Sequence, residues 1–153
     1  MAAPEVIFTR NGSVATAIRE WIANSSVSLD AAVYRFNNPK LAAAVSEAMY
    51  RGITIRIVVD LRKYLEDPQT RQLLATGRFP VRLLGGRPGK GSKMHHKFAI
   101  LDGRTVMTGS YNWTLESEEQ NYDNLIIVPD VQYTAVYLRE FELLWDQADP
   151  VAA

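Results

Sequence analysis

Short apolar runs alternate along the chain with stretches in which apolar residues return every three or four positions. Runs rich in β-branched residues predict strands, and the longer spacing predicts amphipathic helices. In the first half, the predicted strands are Val6–Phe8, Ser26–Tyr34, Ile53–Val59 and Val81–Leu84. Three helices are predicted in this half. The first follows the turn Asn11–Ser13, the second starts at Pro39 and ends at Gly52, and the third runs from Pro68 to near Gly77. This alternation is typical of an α/β fold.

The second half changes to a hairpin and one long helix. His95–Leu101 predicts a strand, Asp102-Gly103 is a hairpin signal, and Thr105–Met107 predicts the returning strand. Leu125–Val128 predicts a last strand, and Asp130 is placed to cap a final helix with apolar positions up to Trp145. Together the two halves predict a mixed β-sheet sandwiched between helices, with no internal repeat or linker.

The segment Gly85–Lys93 fits neither period. It contains four Gly, one Pro and three basic residues, and it has no apolar side chain. This composition predicts a mobile basic loop directly before the two histidines. Lys90 and Lys93 are therefore expected to contact phosphate groups of a substrate.

The net charge of zero conceals a gradient along the chain. Residues 51–104 contain 12 Lys and Arg against 4 Asp and Glu, whereas residues 105–153 contain 1 against 9. A basic patch attracts phosphate-bearing partners. The alternative is that the basic and acidic thirds pair with each other on a solvated surface.

Composition excludes several classes of protein. The chain has no Cys, which excludes disulfides and thiolate metal sites. It has no apolar run long enough to predict a membrane-spanning helix. Its N-terminus also lacks the basic segment followed by an apolar segment that is typical of a signal peptide. We therefore expect a soluble domain, cytoplasmic or, if a signal peptide has been removed, periplasmic.

The candidate chemistry centres on the only two histidines, His95 and His96. Because successive strand side chains point to opposite faces, His95 shares a face with Lys97, and His96 shares the other with Phe98. The hairpin then returns Ser110 and Asn112 toward His95. Four polar groups can thus converge on an anionic substrate without a metal ion.

The spacing of these residues resembles the HKD motif of the phospholipase D superfamily. His95-x-Lys97 is followed by four residues, Asp102, six residues and Gly109-Ser110-x-Asn112. The single motif and the short chain resemble the small nuclease-like members, which include bacterial endonucleases and the mitochondrial cardiolipin hydrolase–like branch. The resemblance covers residues 4–147, which we expect to form a single phospholipase D-like catalytic domain.

The resemblance implies a metal-independent phosphodiesterase that needs no cofactor. His95 would attack phosphorus and form a phosphohistidine. Lys97 and Asn112 would bind the non-bridging oxygens, and Ser110 would order the pocket. A second histidine is needed as general acid, and since His96 points away, the resemblance implies a homodimer that supplies His95 of another copy.

The acidic residues are less clearly assigned. Asp102 completes the motif, but its odd offset from His95 favours a structural role over a catalytic one. The family places a Glu after the Gly-Ser-x-Asn segment to orient the nucleophile, and here the matching acid is Asp123, which is one methylene shorter. Glu118 and Glu119 are alternatives for that role.

The substrate remains open between several classes. A nuclease acting on DNA or RNA with little sequence preference is the leading interpretation. A phospholipid, such as cardiolipin, is the alternative, and a catalytically silent nucleic-acid-binding scaffold is a third. Arg35 is a candidate rim contact, while Trp113 and Tyr111 are candidates either for base stacking or for core packing.

Overall fold

A computed structural model of the chain describes residues 2–88 and 91–151, so the predicted phosphate contact at Lys90 lies outside the described residues. The strands are β1 Glu5–Phe8, β2 Ser28–Val33, β3 Thr54–Asp60, β4 Val81–Leu84, β5 Lys97–Leu101, β6 Thr105–Gly109, β7 Asn124–Val128 and β8 Asp149–Pro150. The helices are α1 Val14–Ala23, α2 Pro39–Tyr50, α3 Leu61–Glu66, α4 Pro68–Gly77, α5 Leu115–Glu119 and α6 Val131–Gln147.

The described strands form one mixed eight-stranded sheet in the order β1-β7-β6-β5-β2-β3-β4-β8. Strands β2, β3 and β4 are parallel, and β5 pairs antiparallel with both β2 and β6. The ends of β2 and β3 therefore lie at the same edge of the sheet as the start of β5. The predicted α/β fold with a mixed sheet between helices is confirmed.

The alternation of side chains along each strand divides the core between the two faces. In β2, Leu29, Ala31 and Val33 join the cluster that packs under α1, α2 and α4. Ala32 joins the other cluster, in which Phe141 of α6 is buried. Both faces are covered because the apolar stripes of the helices match the two strand faces.

The elements missed by the sequence pattern are α3, α5 and β8. Helix α3 is only 6 residues long and has no buried residue, so it is too short for a helical period to be recognised in the sequence. Its start is instead fixed by Asp60, whose side chain accepts a hydrogen bond from the backbone N–H of Lys63. Strand β5 begins at Lys97 rather than His95, although Tyr34 N–H still donates to the His96 carbonyl at 2.8 Å.

A partly buried cation joins the sheet to α6. The Arg56 guanidinium lies 2.7 Å from Asp30 and 2.7 Å from Glu142, and it packs over the rings of Phe141 and Trp145. The hydrogen bonds that Arg56 donates to Glu142 and to Asp30 raise the pKa of Arg56 against the opposing effect of burial. This group shows that part of the basic middle third does pair with the acidic last third.

Asp102 lies at the hairpin turn, at the opposite end of β5 from His95. Its carboxylate accepts hydrogen bonds from the backbone N–H groups of Val27 at 2.7 Å and of Ser26 and Ser28 at 3.1 Å. Burial opposes ionisation, but these hydrogen bonds outweigh it and lower the pKa of Asp102. The position removes Asp102 from the candidate catalytic groups and supports the structural alternative.

None of the helices in the described part of the chain has the length and apolarity needed to span a bilayer.

Candidate active site

The candidate site lies at the sheet edge where β2 and β3 end and β5 begins. Lys97 Nζ is 3.3 Å from Nδ1 of His95 and donates to the His95 carbonyl at 3.0 Å. The His96 ring instead packs edge-on against Phe98, with 5.2 Å between ring centroids. The two histidines therefore lie on opposite faces, as the strand alternation predicts.

Tyr34 supports the His95 ring. The two ring centroids are 4.5 Å apart with an angle of 57° between the planes. Tyr34 is only 8% exposed, so it offers a fixed surface to an imidazole that is itself exposed. Sequence reasoning missed this residue because Tyr34 is more than sixty positions from His95 along the chain, and only the β2–β5 pairing brings them together.

Three ammonium groups lie around the same ring. The Nζ atoms of Lys97, Lys63 and Lys93 are 5.4, 5.7 and 5.9 Å from the Tyr34 centroid. Lys93 was expected at the site, and the structure places it there. Lys63 was not, because it belongs to α3, which the apolar pattern does not reveal.

These charges act on the candidate nucleophile. Partial burial lowers the pKa of His95, and Lys97 and Lys93 lower it further, with Asp60 acting in the opposite direction. Burial also lowers the pKa of Lys97, while the nearby Asp123 carboxylate opposes that shift. These effects favour the neutral imidazole, in which one ring nitrogen has a lone pair available for attack.

Asp60 connects two of the segments that form the site. It is 1% exposed, and its two carboxylate oxygens accept from Met94 N–H at 2.9 Å and Lys63 N–H at 3.0 Å. One buried carboxylate therefore fixes both the start of α3 and the backbone leading into His95. Sequence reasoning gave Asp60 no role, since a single acid at a strand end carries no motif.

The two ends of the basic loop Gly85–Lys93 are paired with each other beside the site. Gly85 and Lys93 form an antiparallel β-bridge. Gly86 next to it packs so closely that a Cβ atom would collide with the backbone nitrogen of Lys93. Glycine at position 86 is therefore required for the approach that positions Lys93.

Ser110 and Asp123 form a second polar group near Lys97. Ser110 Oγ donates to Asp123 Oδ1 at 2.7 Å and accepts from the backbone N–H of Asn124 at 3.1 Å. Among the described residues, Asp123 makes no hydrogen bond with His95. Its predicted role as the orienting acid therefore stays a prediction.

Asn112 carries an unsatisfied buried atom. Its Oδ1 has no hydrogen-bond partner within the described part of the chain, whereas its backbone N–H donates to Ser117 Oγ at 3.2 Å. A buried amide oxygen without a partner is costly and is uncommon outside functional sites. Within residues 2–88 and 91–151, no three His, Asp or Glu side chains are grouped so that they would hold a metal ion.

Trp113 and Tyr111 are not available for base stacking. The Trp113 ring is 2% exposed and packs edge-on against Phe36 at 5.2 Å. Tyr111 is 1% exposed and donates its hydroxyl to Glu118 at 2.9 Å. The burial of Trp113 therefore favours the core-packing alternative over a contact with substrate.

Two other candidates, Glu118 and Arg35, make their described contacts with residues other than His95. Glu118 accepts from Ser13 Oγ at 2.7 Å and Ala15 N–H at 2.9 Å, so it caps α1 and is not placed to orient His95. Arg35 lies 3.8 Å from Glu116 in a partly exposed ion pair. Its role as a rim contact for substrate remains a prediction.

Comparison with known protein sequences identifies the family. The family described as "Cardiolipin synthase, PLD-like domain" matches residues 18–145. The mitochondrial cardiolipin hydrolase of Homo sapiens is 37% identical over 123 residues, which are 80% of this chain and 47% of that protein. The chain spans about half the length of the curated relatives it matches.

Two solved structures share the fold over nearly the whole chain. Nuc from Salmonella typhimurium, described as a phospholipase D family member, has a TM-score of 0.89 at 24% identity and covers 99% of both chains. NucT from Helicobacter pylori has a TM-score of 0.87 at 22% identity, covering 97% of this chain and 99% of that one. The chain therefore belongs to the phospholipase D superfamily, as a small member with a single motif.

Proposed function

We propose that this chain is a phosphodiesterase that works through a covalent phosphohistidine on His95. The observation that carries the proposal is the His95 imidazole held between the Tyr34 ring and the Lys97 ammonium at an exposed, lysine-rich edge. One ring nitrogen would attack phosphorus while the other keeps its proton. Water would then attack the phosphohistidine and regenerate the free imidazole.

The other polar groups have distinct roles in this scheme. As the nitrogen–phosphorus bond forms, the bond to the leaving oxygen breaks and negative charge builds on the non-bridging oxygens. Lys97 and the Asn112 amide would stabilise that charge. Ser110 is held by Asp123 and Asn124 and would keep the pocket ordered. These groups supply the stabilisation without a metal ion.

The leaving oxygen needs a proton, and we propose that it comes from His95 of a second copy. His96 packs on Phe98 and faces away from the His95–Lys97 pair, so it is poorly placed to donate. Sedimentation at assay concentration tests this proposal. We expect an active dimer, whereas an active monomer would contradict the shared site.

A nucleic acid, DNA or RNA, is the substrate that the charge of the site favours. Lys63, Lys93 and Lys97 converge there, and phosphate contacts by lysine contribute affinity without sequence preference. We expect cleavage of single-stranded DNA, duplex DNA or RNA in the presence of EDTA, with activity that falls as salt rises. Activity abolished by EDTA contradicts the metal-independent mechanism.

A phospholipid is the second candidate substrate. The relatives at up to 37% identity are cardiolipin hydrolases by name. In addition, a groove that begins at His96 is lined by Phe98, Val136, Tyr137 and Leu143. Turnover of cardiolipin vesicles without turnover of nucleic acid selects this alternative, and nucleic-acid binding without any turnover selects the silent scaffold.

A further inference from the structure

The three lysines around Tyr34 come from separate parts of the fold. Lys97 begins β5 within the motif, Lys93 ends the basic loop, and Lys63 belongs to α3. Lys97 alone contacts His95, at 3.3 Å between Nζ and Nδ1. The other two ammonium groups are oriented toward the same ring without a described hydrogen bond to the nucleophile.

The nearby acids leave this positive charge largely uncompensated. Both oxygens of Asp60 are occupied by backbone N–H groups, and Asp123 accepts from Ser110. Glu66 pairs with Lys63 at 3.3 Å, but both side chains are partly exposed, so the pair is weak. Among the described residues, neither Lys93 nor Lys97 forms an ion pair with an acidic side chain.

A single phosphodiester does not require this much charge. It carries one negative charge, which Lys97 and the Asn112 amide would already meet at the scissile phosphate. We propose that Lys63 and Lys93 form a second phosphate subsite beside His95, so that the preferred substrate carries another phosphate next to the one that is cleaved. This inference rests on the proposed function and extends it to the substrate's charge pattern.

The backbone that carries both lysines of the subsite is fixed before any substrate arrives. Asp60 holds the backbone of Lys63 and of Met94, the residue after Lys93, through one carboxylate. The Gly85–Lys93 bridge holds the loop side, and the Nζ atoms of Lys63 and Lys93 lie 5.7 and 5.9 Å from the centroid of the buried Tyr34 ring. Anchored cations bind a phosphate with little ordering cost. Neighbouring phosphates occur both in a nucleic-acid strand and in cardiolipin.

Thymidine dinucleotides with and without a terminal phosphate test the subsite. TpT has only the scissile diester, whereas pTpT and TpTp add one phosphate on either side of it. We expect the unmodified chain to cleave one of the two phosphorylated forms with a higher kcat/KM than TpT, mainly through a lower KM. Lys63→Ala and Lys93→Ala should each reduce that preference about fivefold, as for loss of one partly exposed charge pair.

Matched variants separate the subsite from general charge effects. Arg104→Ala removes an exposed cation at the hairpin turn, at the opposite end of β5, and should leave the preference unchanged. Lys63→Arg should retain most of the preference. Thermal melting of each variant checks that the fold is intact.

A parallel comparison of cardiolipin with phosphatidylglycerol vesicles identifies the source of the second phosphate. A preference for cardiolipin that Lys63→Ala reduces, without a dinucleotide preference, supports the subsite and assigns it to lipid. Equal kcat/KM among the three dinucleotides and between the two lipids, with all five substrates cleaved, overturns the subsite but not the phosphodiesterase. Failure to cleave any of them overturns the proposed function itself.

Discussion

Two groups of cations in this chain have opposite surroundings. Arg56 is held by Asp30 and Glu142 and lies over aromatic rings of α6, so its charge is compensated inside the fold. Lys93 and Lys97 surround Tyr34 without an acidic partner among the described residues. Compensated cations hold the sheet to a helix, whereas uncompensated cations at an open edge are suited to an external anion.

The largest expected effect tests whether the uncompensated lysines surround a nucleophile, His95. His95→Ala should lower kcat by about 10⁴-fold or more, since removal of a covalent nucleophile leaves only residual catalysis. Stability should change little, because His95 is exposed. Steady-state kinetics with bis(p-nitrophenyl) phosphate and thermal melting measure both effects. Full activity in this variant would contradict the nucleophile assignment.

Loss of the lysine nearest His95 should give the next largest effect. Lys97→Met keeps most of the aliphatic stem but removes the ammonium that would stabilise charge in the transition state. We expect kcat to fall about 100- to 1000-fold, as when one oxyanion donor is removed. A change confined to KM would instead indicate that Lys97 only binds the substrate.

The compensated group should respond in the opposite way. Arg56→Met removes the partner of the buried Asp30 carboxylate and should lower the free energy of unfolding by about 2 kcal/mol, less than for a fully buried pair because Arg56 is partly exposed. Urea denaturation measures the loss. Activity per folded molecule should be retained, and Lys93→Ala should show no comparable loss of stability. Equal stability losses in both variants would remove the distinction.

The smallest expected effect is on the pH profile. Burial and the charges of Lys97 and Lys93 lower the pKa of His95, so the acid limb of kcat/KM should lie below the ordinary range of a histidine. Lys93→Ala removes one positive charge, which lets the imidazole bind a proton more readily and moves the acid limb to higher pH. Arg104→Ala is the control and should leave it in place. A shift of the acid limb to lower pH in Lys93→Ala would contradict the effect assigned to the Lys93 charge.

The fold was predictable because the spacing of apolar residues along the chain follows which side chains are buried. The strands and long helices follow from apolar spacing, whereas α3 was missed since none of its side chains is buried. His95 and Lys97 were found because they are close in sequence. Tyr34 and Asp60 were missed because strand pairing alone brings them to the site, and no local pattern marks them. Trp113 was left open between base stacking and core packing because composition does not tell an exposed ring from a buried one.

The β-bridge between Gly85 and Lys93, with the close packing of Gly86, makes the sequence between Gly86 and Lys93 a replaceable module. Its two ends are clamped together, so a change in its length is not transmitted to the backbone that enters β5. A doubling of loop length costs only about 0.6 kcal/mol in closure entropy. We therefore expect that exchange of this segment, by recombination or by grafting, can change the preferred substrate while His95 and Lys97 keep their positions.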